Sequence, residues 1–300
     1  MNYQAFHERS IRQRDAYWRE QAQRIDWHRP FHTVCDTRNP PFAEWFVGGQ
    51  LNLCHNAVDR HVPHRPDQPA LIFVSTETGT EQTLSYGQLF VEVQRMAAVL
   101  RAQGVGKGDR VLIYMPMIPE AVIAMLATVR LGAIHSVVFG GFAAHSLATR
   151  IEDASPKVIV SADAGSRGGK VIPYKPLLDE ALHISKHKVD KVVLVHRGLS
   201  PAGLVEGRDI DYHQARSEVM DQVVPCVWVE ATHPSYTLYT SGTTGKPKGV
   251  QRDTGGHAVA LAASMEQLFC GQAGETFFCT SDIGWVVGHS YIVYGPLLAG

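Results

Sequence analysis

Between Pro69 and Val195, short apolar runs alternate with longer stretches of helical periodicity, and this alternation restricts the chain to an α/β architecture. Ala70 to Val74 reads as a strand. Ser85 then opens a helix, with Gln88 three residues on to complete a capping box. Leu89, Val93, Met96, Ala97 and Leu100 recur at helical spacing, and Gly104 closes the helix. Arg110 to Tyr114 reads as the next strand, and Pro119 and Glu120 start a helix that Gly132 ends. Ile134 to Phe139 reads as a strand, Ala143 to Ile151 as a helix and Val158 to Ser161 as a strand. Asp179 to Ile184 belongs to a further helix, and Val192 to Val195 to a further strand. Strands separated by helices imply layered, largely parallel sheets covered by helices on both faces.

The first sixty residues read differently. Arg14 to Ile25 is a polar helix with Tyr17, Trp18 and Ile25 on its apolar side. Asn39-Pro40-Pro41 suggests an extended arm, and Asn52 to Val62 a short helix with Leu53, Ala57 and Val58 facing inward. The expected organisation is a helical cap over residues 1–62 and a main domain over 63–300. The polar stretch Arg197 to Val224 is expected to hold a surface excursion and a short helix.

Composition narrows the function classes. With 45% hydrophobic and 19% charged residues, the expectation is a soluble globular protein. A formal net charge of −1 gives no global electrostatic case for nucleic acid or an anionic membrane. The stretch Met1 to Trp27 has no apolar core for a signal peptide, so the expected location is the cytoplasm. Leu131 to Thr149 and Ile283 to Gly300 lack Asp, Glu, Lys and Arg, but glycine, histidine, serine and proline interrupt them. Buried strand–turn–helix structure is expected there instead of a membrane span. The five cysteines are widely spread without a CxxC pair, and the 15 histidines lack metal-binding order. Neither a disulfide framework nor a metal site is expected.

The most informative segment is Tyr239-Thr-Ser-Gly-Thr-Thr-Gly-Lys-Pro-Lys-Gly-Val250. Gly242, Gly245 and Gly249 allow close backbone approach to a ligand. Thr240, Ser241, Thr243 and Thr244 add hydroxyl groups, and Lys246 and Lys248 add positive charge. Together these make an anion cradle suited to a polyphosphate. It is not a Walker A loop: two residues, not four, separate Gly242 from Gly245, and Pro247 follows Lys246. A strand, Tyr236 to Tyr239, leads into it, which a flexible Gly/Thr-rich linker does not require.

From Thr240 to Gly249 the sequence resembles the signature loop of the adenylate-forming superfamily, which includes acyl-CoA synthetases, luciferases and peptide-synthetase adenylation domains. Other segments resemble its acetyl- and propionyl-CoA synthetase branch. These are Tyr114-Met-Pro-Met-Ile-Pro-Glu120, Gly132 to Phe142, Ser161 to Lys170, and Ser281-Asp-Ile-Gly-Trp-Val-Val-Gly-His-Ser-Tyr291. The arm, with Asn39 to Ala43 and Leu51 to Ala57, is similar to the propionate-using members.

The resemblance implies the large N-terminal domain of such enzymes, incomplete at its C-terminus. It implies ligation of a short-chain carboxylate, propionate or else acetate, to CoA through an acyl-adenylate, with release of AMP and pyrophosphate. ATP with Mg²⁺ and coenzyme A are the implied cofactor and co-substrate. Thr240, Ser241, Gly242, Thr243, Thr244, Gly245, Lys246 and Lys248 would hold the ATP phosphates. Trp285, Val286 and Val287 would line the acyl pocket, although Val287 stands where acetate-using members usually carry threonine; Trp285 could instead be a core tryptophan. Gly140, Gly141, Arg167, Gly168, Gly169 and Lys170 would meet CoA, with a solvated basic turn as the alternative for the last four. The resemblance assigns catalysis to residues beyond Gly300, so no catalytic residue is expected here and the isolated chain is expected to be inactive. A non-catalytic nucleotide- or CoA-binding module is the other reading; the branch motifs argue against a peptide-synthetase domain.

Overall fold

The fold is organised by a seven-stranded sheet whose central strands are largely apolar on both faces. The structure is a computed structural model that describes residues 3–76, 78–240 and 247–300. In sheet order the strands are Asp209–Asp211, Lys191–Val195, Val158–Ala162, Arg110–Tyr114, Ile134–Val137, Pro234–Thr240 and Lys248–Asp253. All neighbouring pairs are parallel except the last, which is antiparallel. The strand period of two explains the continuous apolar runs. Val111 and Ile113 point into one core layer, under the helices Tyr86–Ala102 and Pro119–Arg130. Leu112 and Tyr114 point into the other, under Ala144–Ala154 and Tyr174–Ile184. The sheet is thus covered on both faces, and the expected α/β class is the observed one.

The helix Tyr86–Ala102 begins with the expected capping box. Gln88 N–H donates to Ser85 Oγ at 3.3 Å, and Ser85 N–H donates to Gln88 Oε1 at 2.9 Å. Ser85→Ala removes the acceptor for one otherwise orphaned helix amide. It should lower stability by about 1 kcal/mol, measured as a shift in the urea midpoint at unchanged slope.

Two local expectations are corrected, and one helix is added. The apolar run at residues 70–74 is not a strand of the parallel sheet. Pro69–Ser75 pairs antiparallel with Thr80–Ser85 in a separate hairpin, turned by Gly79 at φ +66°, and Ile72 and Val74 are 48% and 58% exposed. The helix expected over Asn52 to Val62 breaks at Val58. Leu53–Ala57 is helical, and Asp59–His61 forms a separate 3₁₀ turn that brings the Asp59 carboxylate to Arg130. A helix over Tyr3–Arg12 was not legible because it buries none of its residues.

The first sixty residues pack on the main body through a shared apolar core and through polar contacts. Gln50–Leu51 pairs with Val229–Glu230. Asn52 Nδ2 donates to the carbonyls of Val129, Arg130 and Val227 at 2.8–3.2 Å, while its Oδ1 caps the following helix by accepting from His55 N–H. Asn52 is fully buried, and these bonds offset its desolvation.

Candidate functional site

In an open parallel sheet, ligands bind in the crevice beyond the carboxyl ends of the strands. The residues that follow three strands of the sheet, two of them neighbours and the third one strand further along, form such a crevice. Met115, Pro116 and Met117 leave Arg110–Tyr114, Phe139, Gly140 and Gly141 leave Ile134–Val137, and Arg197 follows Lys191–Val195. They line a cavity of about 250 Å³ together with Arg167, Tyr174 and Asp282. Two guanidinium groups therefore border one crevice. Arg197 is held by donating from Nη1 to the carbonyl of Ala164 at 2.9 Å, and Arg167 lies 5.8 Å from the Phe139 ring centroid. Asp282 accepts from Gly284 N–H at 2.7 Å, and burial pushes its carboxyl above the usual carboxylate range.

The glycines at this crevice are there for space. A Cβ on Gly140 would lie 2.0 Å from Tyr174 Oη, and one on Gly141 would lie 2.9 Å from the Arg167 guanidinium. Gly168 and Gly169 have a different basis. They form the two-residue turn between Ala164–Arg167 and Lys170–Pro173, with φ of +58° and +73°, conformations that suit a tight hairpin. The structure thus brings Gly140, Gly141 and Arg167 into one cavity. It sets Gly168, Gly169 and the exposed Lys170 at the hairpin tip, outside that cavity's lining.

The two strand ends that flank the phosphate-loop candidate lie at the same edge of the sheet. Pro234–Thr240 runs parallel to Ile134–Val137, with Tyr236 opposite His135, so Thr240 ends at the carboxyl edge. Thr240 pairs with Lys248 across the antiparallel strands, and both are exposed. Ser241, Gly242, Thr243, Thr244, Gly245 and Lys246 lie outside the described residues. Tyr239 braces the strand from below by donating to Asp153 Oδ2 at 2.6 Å.

The three acyl-pocket candidates do not share a wall. Trp285 is 47% exposed, which excludes the core-tryptophan reading, and its ring is tilted against Phe139 at 5.9 Å between centroids. Val286 lines a second cavity of about 380 Å³, walled by Trp18, Trp45, Phe46, Tyr236 and Leu261, with Arg252, Asp253, His257 and Ser290 as polar groups. Val287 is 47% exposed and lines neither cavity.

Sequence reasoning missed the polar cluster behind this second cavity. His135 Nε2 and Tyr294 Oη are 2.6 Å apart, and His135 stacks on His289 at 5.2 Å. Tyr236 packs on His289 and His257. Burial, reinforced by the neighbouring histidines, holds His135 well below the usual histidine range. Burial, then His289 and Arg252, lowers His257 to about 3, and burial lowers His289 to about 4. The rings are neutral. His289 and Tyr294 sit on a widened π turn, His289–Tyr294. Also missed were Arg197 and a group formed by Cys54, Asp59 and Cys226, whose ligand atoms lie within 4.8 Å of one another. No described helix is long and apolar enough to cross a membrane.

Comparison with known proteins agrees with this architecture. Residues 58–300 match the family described as AMP-binding enzyme, and residues 3–57 match the acetyl-coenzyme A synthetase N-terminus. The chain belongs to the AMP-binding enzyme family. Within that family it is 59% identical to a propionate–CoA ligase of Salmonella typhimurium, over 100% of this chain and 48% of the relative. It is 47% identical to an acetyl-coenzyme A synthetase of Methylobacterium radiotolerans, over 99% of this chain and 46% of the relative. Among solved structures, an acetoacetyl-CoA synthetase from Streptomyces lividans superposes with a TM-score of 0.91 at 30% identity, over 100% of this chain and 45% of that one. The chain spans about half the length of the curated relatives it matches.

Proposed function

We propose that this chain supplies the polyphosphate cradle and part of the CoA site of an AMP-forming acid–thiol ligase acting on propionate. The observation that carries this reading is the placement of Gly140, Gly141, Arg167 and Arg197 in one crevice, at the sheet edge where Thr240 and Lys248 bracket the phosphate loop. The similarity to propionate–CoA ligase supports propionate as the acid. Residues 1–62 would act as the packed arm and 63–300 as part of the nucleotide-binding domain.

In the first half-reaction a carboxylate oxygen of propionate attacks the α-phosphorus of ATP, and the bond to pyrophosphate breaks. In the second, the CoA sulfur attacks the acyl carbon and AMP departs. The chemical difficulty of the first step is bringing one anion to another and stabilising the charge that gathers on the leaving pyrophosphate. Lys248, Lys246 and the loop's amides and hydroxyls would supply that stabilisation. Magnesium would arrive with the ATP phosphates and offset part of their charge. The apolar cavity that Val286 borders would take the short acyl chain, with the exposed Arg252 at its polar side. Arg167 and Arg197 would hold a CoA phosphate by charge-assisted bonds.

The test is thioester formation by a full-length ligase carrying this chain, with propionate and acetate compared by kcat/KM. A higher value for propionate supports the reading, and a higher value for acetate overturns the choice of acid. Arg167→Ala should raise the KM for CoA by roughly fivefold, as expected for a partly screened ion pair of about 1 kcal/mol. Pyrophosphate exchange should be unchanged, because CoA takes no part in the first half-reaction.

A further inference from the structure

Cys54 and Cys226 lie 172 residues apart in sequence, yet the fold points both sulfurs at one carboxylate. Cys54 sits on the short helix Leu53–Ala57, its side chain 3.8 Å from Asp59 Oδ2. Cys226 lies in the extended segment before Val229–Glu230, its side chain 3.6 Å from Asp59 Oδ1. Asp59 is in turn held by Arg130, whose Nη1 donates to both carboxylate oxygens at 2.9 and 2.8 Å and lies 3.6 Å from the Cys54 sulfur. Asn52 ties the same three elements together through the carbonyls of Val129, Arg130 and Val227. The two thiols therefore face each other across a fixed junction between the arm and the main body.

Two kinds of chemistry suit a pair of thiols beside a carboxylate: binding a soft cation, or closing a disulfide. Arg130 decides between them. Its guanidinium is 3% exposed, already occupies both oxygens of the carboxylate and cannot swing away. A divalent cation would sit against that fixed positive charge, and the carboxylate would have to leave a buried arginine unpaired. Oxidation of two neutral thiols to a neutral disulfide leaves the charge of the cluster unchanged. We propose that Cys54 and Cys226 form an oxidation-sensitive dithiol, which a peroxide closes into a disulfide linking the arm to the main body.

The route follows from exposure. Cys54 is fully buried and Cys226 is half-buried, so the oxidant meets Cys226 first. The Cys226 thiolate attacks a peroxide oxygen, the O–O bond breaks, and a sulfenic acid and water are formed. The Cys54 thiolate then attacks the Cys226 sulfur and displaces the hydroxyl as a second water. The net change is two thiols and one hydrogen peroxide giving one disulfide and two waters. The hydrogen bond to Cys54, and then burial, raise the Cys226 thiol above the usual cysteine range and keep it protonated at neutral pH, opposed by Arg130. The reaction should therefore be slow at pH 7 and accelerate as pH rises.

The experiment is peroxide treatment of the native chain, followed by quenching, thiol counting after denaturation, and peptide mapping without reductant. The expected result is a Cys54–Cys226 linked peptide, two hydrogens lighter than its reduced parts and restored by dithiothreitol. The crosslinked chain should melt several degrees higher than the reduced one, since the bridge closes a very long loop. Cys226→Ser and Cys54→Ser should each abolish the linked peptide, while Cys35→Ser should leave it. Three results would overturn the proposal. One is oxidation confined to Cys270 and Cys279, with Cys54 and Cys226 still alkylatable. Another is Cys226 converted to sulfinic acid with no crosslink. The last is stoichiometric zinc released when the two thiols are blocked, which would make the cluster a metal site. The mapping uses the wild-type chain, so it remains decisive even where a serine variant folds poorly.

Discussion

Lys248→Ala, introduced into a full-length ligase carrying this chain, should slow adenylate formation by roughly ten- to a hundredfold. Lys248 is the first cation after the loop among the described residues. It is exposed, on a strand end paired with Thr240 and free of an assigned carboxylate partner among the described residues. Its proposed work is to meet charge as it moves toward pyrophosphate. A charge-assisted hydrogen bond contributes about 1.5–3 kcal/mol. Expressed in the transition state alone, that corresponds to the stated loss in rate. The thioester half-reaction, begun from propionyl-AMP, should lose much less, because pyrophosphate has already gone. Equal losses in both half-reactions would assign Lys248 to the fold or to a closed conformation. No loss in either would return the loop to a flexible turn.

Acid should unfold the chain earlier than its carboxylates alone would dictate. His135, His257 and His289 are buried and neutral, and His61, also buried, is lowered to about 4 by burial and then by Arg60 and Arg65. In each case the folded pKa lies below the unfolded value of about 6.5. As pH falls below 6.5 the unfolded chain takes up protons that the folded chain refuses. Stability is therefore whole above that pH and declines until the folded rings themselves titrate near 4 and below. Each histidine contributes a slope of up to about 1.4 kcal/mol per pH unit. Four together remove several kcal/mol between pH 6.5 and 4.5, a large share of an ordinary folding free energy. Asp253 and Asp282, both raised by burial, pull the other way once pH enters the carboxylate range. Urea titrations at pH 7, 5.5 and 4.5 measure this directly. His289→Gln should flatten the slope, and a wild-type free energy constant over that range would contradict the account.

The parts of the fold that were legible are those fixed by local pattern. Arg110–Tyr114 is apolar at every position after the first because each face meets its own helix layer, so its boundaries follow from composition. Ser85 and Gln88 set a helix start by side-chain chemistry alone. The run at residues 70–74 looked the same as a buried strand, yet its partner is the next segment in the chain, and pairing partners are invisible to a local reading. Val58 breaks the short arm helix because the following turn carries Asp59 to a buried arginine 71 residues away.

The site divides along the same line. Gly140, Gly141 and Arg167 were legible through motif resemblance, and the fold places them in one crevice. Arg197 reaches that crevice from another strand end with no motif around it. The cluster of His135, Tyr236, His257, His289 and Tyr294 draws on five separate positions, brought together by two strands of the sheet, the helix Thr254–Gln267 and the π turn. Cys54 and Cys226 were dismissed by spacing for the same reason. Spacing detects ligands carried by one element, whereas topology assembles these.

The proposed part of this chain in activating a carboxylate with ATP is tested most directly by exchange of labelled pyrophosphate into ATP, catalysed by a full-length ligase that carries it. Exchange should depend on propionate, need no CoA and fall with Lys248→Ala. Thioester formation without any propionate-dependent exchange, or exchange indifferent to Lys248, would contradict the proposal.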